Sequence, residues 1–142
     1  MTQDFSKKIA IVARQDIAIW QVMNAVAHIS AYMGNKMQES FDTGEYFITK
    51  DGKNHPRNSQ YAIIVLDGTA EDLQNLMQEV RKTNLLFHGF IRQMIETTDD
   101  EEITTILSKK ADNEIEYLGV GMFGIKEEVD ALTKKFSLWK VK

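Results

Sequence analysis

Apolar positions along the chain repeat with two periods that alternate from end to end. Residues 9–13 (Ile-Ala-Ile-Val-Ala) form an unbroken apolar run, as does the stretch 61–66 (Tyr-Ala-Ile-Ile-Val-Leu). Runs of this length and β-branched character predict strands covered on both faces. Residues 85–91 and 114–123 predict two further strands, and Gly89 inside the third suggests a bulge or a close approach of other atoms. Between them the period becomes helical. Residues 17–33 are apolar on most of the circumference, which predicts a helix covered nearly all round. Leu73, Leu76, Met77 and Val80 make the single stripe of a second helix, opened by the capping box Thr69/Asp72. A short helix follows the capping-box pair Thr98/Glu101, with Ile103, Ile106 and Leu107 inward. A last one, 126–135, carries Val129 and Leu132 with Phe136 at its end. Residues 137–141 alternate as a strand at or near a sheet edge would.

The alternation implies one α/β domain over residues 1–142, a three-layer α/β/α sandwich around a mixed, mainly parallel sheet of four main strands. One excursion interrupts it. Residues 41–58 read as a flap or hairpin insertion, with Asp51-Gly52 as a two-residue turn.

Within the first helix Gln21, Asn24 and His28 stand three and four apart and draw one polar line down an otherwise apolar surface. Asp16 lies at the turn between the first strand and this helix, where free amide groups and the carboxyl ends of strands favour ligands. Asp16 as the helix N-cap and a line of satisfied inter-element hydrogen bonds are the plain structural alternatives. As a site, the stretch makes Asp16 and His28 the catalytic candidates. Arg14, Trp20, Gln21 and Asn24 form the ligand-binding set. The corresponding chemistry is water attack on an ester or amide, with Asp16 or His28 as base and Gln21 or Asn24 polarising the carbonyl.

Other signatures narrow the choice. Gly119-Val-Gly121-Met-Phe-Gly124 matches the dinucleotide pattern G-x-G-x-x-G, but it belongs to the last strand and helix and no acidic residue follows where a ribose would need one. Glycines that admit close packing explain it better, and no cofactor is expected. His28, His55 and His88 lack metal-ligand spacing, so no metal is expected either. There is no cysteine, hence no disulfide, thiol nucleophile or thiolate site. A net charge of −4 disfavours nucleic acid as a partner, although Lys134, Lys135, Lys140 and Lys142 gather some positive charge near the end. No run approaches the roughly 20 apolar residues of a membrane span. The polar start lacks the pattern of a signal peptide, so a cytoplasmic location is expected.

The stretch from Lys8 to Asp16, followed by an alanine-rich helix with His28, resembles the opening of the type II peptidyl-tRNA hydrolases. The segment Tyr117-Leu118-Gly119-Val120-Gly121, a helix and then Leu138-Trp139-Lys140 is similar to that family's C-terminal half. Asp16-Ile-Ala-Ile-Trp20-Gln21-Val-Met-Asn24 resembles more closely a bacterial family of unknown function that shares the fold, over about residues 8–141. The resemblance implies the α/β/α sandwich. Of the hydrolase motif only Asp16 and His28 find counterparts; residues 17–20 replace the start bearing the catalytic lysine, and the Gly-Arg-Thr-Gln segment is missing. The leading expectation is a protein that binds or hydrolyses a small molecule at the first strand-helix turn. A non-catalytic interaction or homodimerisation module is the alternative, and peptidyl-tRNA hydrolysis a third reading.

Overall fold

A computed structural model describes residues 3–141. The chain runs β1 (Lys7–Arg14), α1 (Ile19–Met37), β2 (Phe47–Ile48), β3 (Asn54–His55), β4 (Ala62–Gly68), α2 (Ala70–Arg81), β5 (Leu86–Ile91), α3 (Gln93–Glu96), α4 (Asp100–Leu107), β6 (Tyr117–Ile125) and α5 (Lys126–Thr133), with 3-10 turns after α1 and before β6. Four strands form one sheet in the order β4-β1-β6-β5. β1 pairs with β4 in parallel, Lys8 opposite Ala62, and antiparallel with β6, which also meets β5 antiparallel. The sheet is therefore mixed with a single parallel pair rather than mainly parallel. Alternation of helices and strands does not distinguish a crossover from a return, and the chain after β5 turns back through α3 and α4 to enter between β1 and β5 in the opposite direction.

Alternating residues of β1 divide the interior in two. Ile9 and Ile11 join Ala25, Ile29, Met33 and Phe90 under α1. Ala10 and Val12 join Leu73, Leu76, Met77, Val80 and Val129 under α2 and α5. Helices on both faces are thus confirmed. At β5/β6 the pairing steps from Phe90↔Gly119 to Ile91↔Tyr117, so Leu118 is the extra residue of a bulge. Gly89, paired with Val120 next to the bulge, is where an added Cβ would come within 2.7 Å of the Tyr117 ring.

Three local readings change. α1 begins at Ile19 and ends at Met37. It buries one stripe, Val22, Ala25, Ile29, Met33 and Met37, while Trp20 and Met23 remain 59% and 66% exposed, so it is covered on one side only. α4 is capped by Asp99, whose carboxylate accepts the Glu101 N–H at 2.9 Å, in place of Thr98. β2 and β3 pair antiparallel, Phe47 opposite His55, and the connection between them spans residues 49–53 rather than two. The closing segment makes a single bridge, Leu66↔Leu138, on the outer edge of β4; Asp67 N–H donates to Ser137 O and Trp139 N–H to Val65 O. Lys134, Lys135 and Lys140 are exposed; Lys142 lies outside the described residues.

Candidate functional site

The strand tips carry the side chains first expected to bind. Arg14, the last residue of β1, is 6% exposed. Its Nε and a terminal nitrogen donate to the two Asp16 carboxylate oxygens at 2.6 and 2.9 Å, and the other terminal nitrogen donates to Glu116 Oε1 at 3.0 Å. Glu116, entering β6, also accepts two bonds from Arg92, just after β5, at 2.6 and 2.8 Å. Trp139 Nε1–H donates to Arg14 O at 3.1 Å. This chain of alternating charges pins three segments, and the neutral indole bond adds the closing one. The paired Arg14 guanidinium holds Asp16 below the usual carboxylate range, and Arg92, seconded by Arg14, does the same for Glu116. A carboxylate so engaged is a poor proton acceptor.

Asp16 does not cap α1. Ala18 occupies that position, and Gln21 Oε1 accepts the Ala18 N–H at 3.2 Å, which accounts for one member of the polar line. Asn24 is half-buried one turn on, and Trp20 faces solvent. His28 lies nine residues beyond Ile19, or about 14 Å along the helix axis. Asp16 and His28 therefore do not converge on one reacting atom.

His28 instead belongs to a groove of about 640 Å3 between α1, β5 and the α3–α4 segment. Its floor follows from matched periods. Four residues of helix advance about 6 Å and two residues of strand about 6.8 Å. His28 and Tyr32 on α1 thus meet Phe90 and His88 on β5 in register. The His28 and Phe90 rings stack at 5.4 Å between centroids, and those of Tyr32 and His88 at 4.5 Å. Ala31 and Asn35 continue the α1 wall; Met94, Thr97, Thr98, Asp100 and Ile103 form the opposite one. Burial, with His28 close by, lowers the pKa of His88, favouring its neutral ring, a donor at one nitrogen and an acceptor at the other. Two charge-assisted bonds from Arg92 to Glu116 fix the residue from which α3 springs, so the ion network anchors one wall of this groove.

Sequence reasoning placed His28 in a site but passed over His88, Tyr32 and Phe90. The available signal was an aromatic or imidazole pair at i, i+4 in a helix matched by one at j, j+2 in a strand. The groove lining leaves out Arg14, Asp16, Trp20, Gln21 and Asn24. No three His, Asp or Glu side chains gather as a metal set among the described residues.

Residues 7–140 match the family described as "Protein of unknown function (DUF2000)". The chain belongs to the DUF2000 family. A solved structure, that of the protein of unknown function Atu0240 from Agrobacterium tumefaciens strain C58, resembles this DUF2000 chain with a TM-score of 0.83 and 23% identity, over 96% of this chain and 100% of that one. This likeness establishes a shared fold. No curated protein matches the chain. No helix among the described residues is long and apolar enough to cross a membrane.

The DUF2000 chain's glycine motif has a packing explanation. A Cβ on Gly121 would collide with Ile29 Cγ2, and one on Gly119 would lie 2.9 Å from Ile29 Cδ1. These two glycines let α1 settle on the centre of the sheet.

Proposed function

We propose that this DUF2000 protein is a cytoplasmic small-molecule-binding protein with a type II peptidyl-tRNA hydrolase-like fold, and that its ligand occupies the groove between α1, β5 and α4. The observation that carries the reading is the pair of ring stacks, His28 on Phe90 and Tyr32 on His88, flooring a space of ligand size. Such a floor suits a flat, largely apolar molecule. Asn35, Thr97 and Thr98 supply hydrogen bonds at the rim, and Asp100 attracts an amino group on the ligand. The ligand class is therefore heteroaromatic amines.

Binding is favoured over hydrolysis because Asp16, which precedes α1, is committed to Arg14, while His28 lies more than two helical turns into α1. Loss of the lysine-bearing segment and the net charge of −4 also weigh against peptidyl-tRNA as substrate. Trp20 and Met23 facing solvent support an interaction role alongside the binding role.

Thermal unfolding of the protein with a panel of nucleobases, pterins and aminobenzoates tests the proposal. A ligand present at a hundredfold its Kd stabilises by about 2.7 kcal/mol, equivalent to a rise of about 8 °C for a domain of this size. At least one member should raise Tm in this way, and the rise should vanish in Tyr32→Ala and His88→Ala. A panel without effect, or a rise indifferent to both substitutions, rejects the groove as the binding site.

A further inference from the structure

α1 carries only one charged residue, Lys36 in its last turn, although half of its surface faces solvent. Trp20, Met23 and Ala27 lie three and four residues apart on the side away from the buried stripe, a face that on a solvated helix would ordinarily be charged. Charge of opposite sign flanks this apolar strip on either side. On one flank the Phe41 ring lies 3.9 Å from where a Cβ on Gly34 would stand, and Gln60 N–H donates to Asp42 O at 3.0 Å, tying down the base of the β2–β3 flap. Residues 46–57 of that flap expose Tyr46, Phe47 and Ile48 and carry Lys50, Lys53 and Arg57 against the acid Asp51, while Asp42 and Glu45 sit at its base. On the other flank, beyond His28 and Tyr32, residues 96–102 present Glu96, Asp99, Asp100, Glu101 and Glu102 with no cation among them.

A surface with an apolar centre, a basic-aromatic arm on one side and an acidic ridge on the other is complementary to itself. In a two-fold contact every interaction occurs twice, residue i of one copy meeting residue j of the other and the reverse. We infer that two copies of this chain associate through the outer face of α1, each laying its 46–57 flap on the acidic start of the other's α4. Trp20 and Met23 meet near the axis, Lys50 and Lys53 face Asp99 to Glu102, and Phe47 of each copy covers the open side of the other's groove. That last contact rests on the groove being the ligand site; the association itself does not. The apolar strip is narrow beside a standard interface of roughly 800 Å2 per partner, so the dimer is weak, with a Kd on the order of 10 µM, and sensitive to salt.

Sedimentation equilibrium from about 1 µM to about 1 mM reads the association directly. The wild-type chain should pass from monomer to dimer, with the transition moving to higher concentration in high salt. Trp20→Glu should remain monomeric. The exposed pairs Lys50→Glu/Lys53→Glu and Glu101→Lys/Glu102→Lys should each abolish self-association, and mixing the two variants should restore a dimer, because each then finds the opposite charge at both contacts. A monomer at all concentrations, a dimer indifferent to these substitutions, or a mixture that stays monomeric overturns the inference. Ligand binding by the Lys50→Glu/Lys53→Glu monomer separates the two readings. Affinity reduced roughly tenfold supports a groove completed by the second copy. Unchanged affinity removes that contact and leaves the ligand site standing.

Discussion

Gly121→Ala tests the packing account of the glycine motif at its tightest point. The new Cβ would overlap Ile29 Cγ2 and stand 3.4 Å from Met33 Cε and 3.6 Å from Ile11 Cγ1, three side chains with no exposed surface. Either Ile29 leaves its rotamer or α1 lifts from the sheet. Overpacking of this kind costs about 3 kcal/mol at the upper end of its usual range. Replacing glycine by alanine in ordered backbone offsets about 0.5–1 kcal/mol of that. The net loss of about 2 kcal/mol corresponds to a Tm lower by about 6 °C. Urea denaturation of the single variants and of Gly121→Ala/Ile29→Ala closes a double-mutant cycle. Ile29→Ala alone should cost about 4 kcal/mol by leaving a cavity. In the double variant the new methyl finds that space, so the two losses should fall short of additivity by at least about 1 kcal/mol. A neutral Gly121→Ala, or strictly additive losses, refutes the steric argument and reopens the motif as a nucleotide-binding turn.

Further outcomes follow from the ion pairs and titrating groups. Arg14→Met should cost about 2–3 kcal/mol in denaturant; the buried-pair value of about 3–5 kcal/mol is reduced because Asp16 and Glu116 keep contact with water. Asp16 and Glu116 titrate below their unfolded values, so the stability they add is complete above about pH 4.5 and lost as pH falls through their lower folded values. Arg14→Met should flatten that acid limb, and an unchanged limb contradicts the network. His88 is held neutral, so its contribution is complete above pH 6.5 and declines as pH falls below it. His88→Gln should remove this decline from Tm measured between pH 7 and pH 5. Burial, followed by the bond its hydroxyl donates to Asp112 at 2.6 Å, pushes the Tyr117 pKa up to about 12. Its phenol favours the fold below pH 10, and that stability disappears between pH 10 and about 12. In absorbance titration a tyrosine ionisation should appear near pH 12, and Tyr117→Phe should abolish it.

Much of the architecture was legible because burial dictates period. The four strands and the capping box Thr69/Asp72 appear where apolar runs and hydroxyl-acid spacing place them. The direction of β6 was not legible, since it depends on where a return connection inserts its strand. Nor was the one-sided covering of α1: Trp20 and Met23 have the composition of a core and the position of a surface. The candidate site divided in the same way. The polar line on α1 pointed to a cleft at the strand tips, whereas His28 borders a groove beside β5, Gln21 satisfies the helix end, and Asp16 is taken by an arginine two residues before it. His88 escaped notice because its partner Tyr32 is far away in the chain and becomes a neighbour only when α1 lies across β5.

The groove is the centre of the functional account, and the imidazole resonances test it most directly. In 1H–13C correlation spectra, titration with the strongest binder of the panel should shift His28 and His88 together, while His55 on the flap of a chain kept monomeric by Trp20→Glu stays in place. Movement of His55 alone, or saturation of binding with both groove histidines unmoved, contradicts the account.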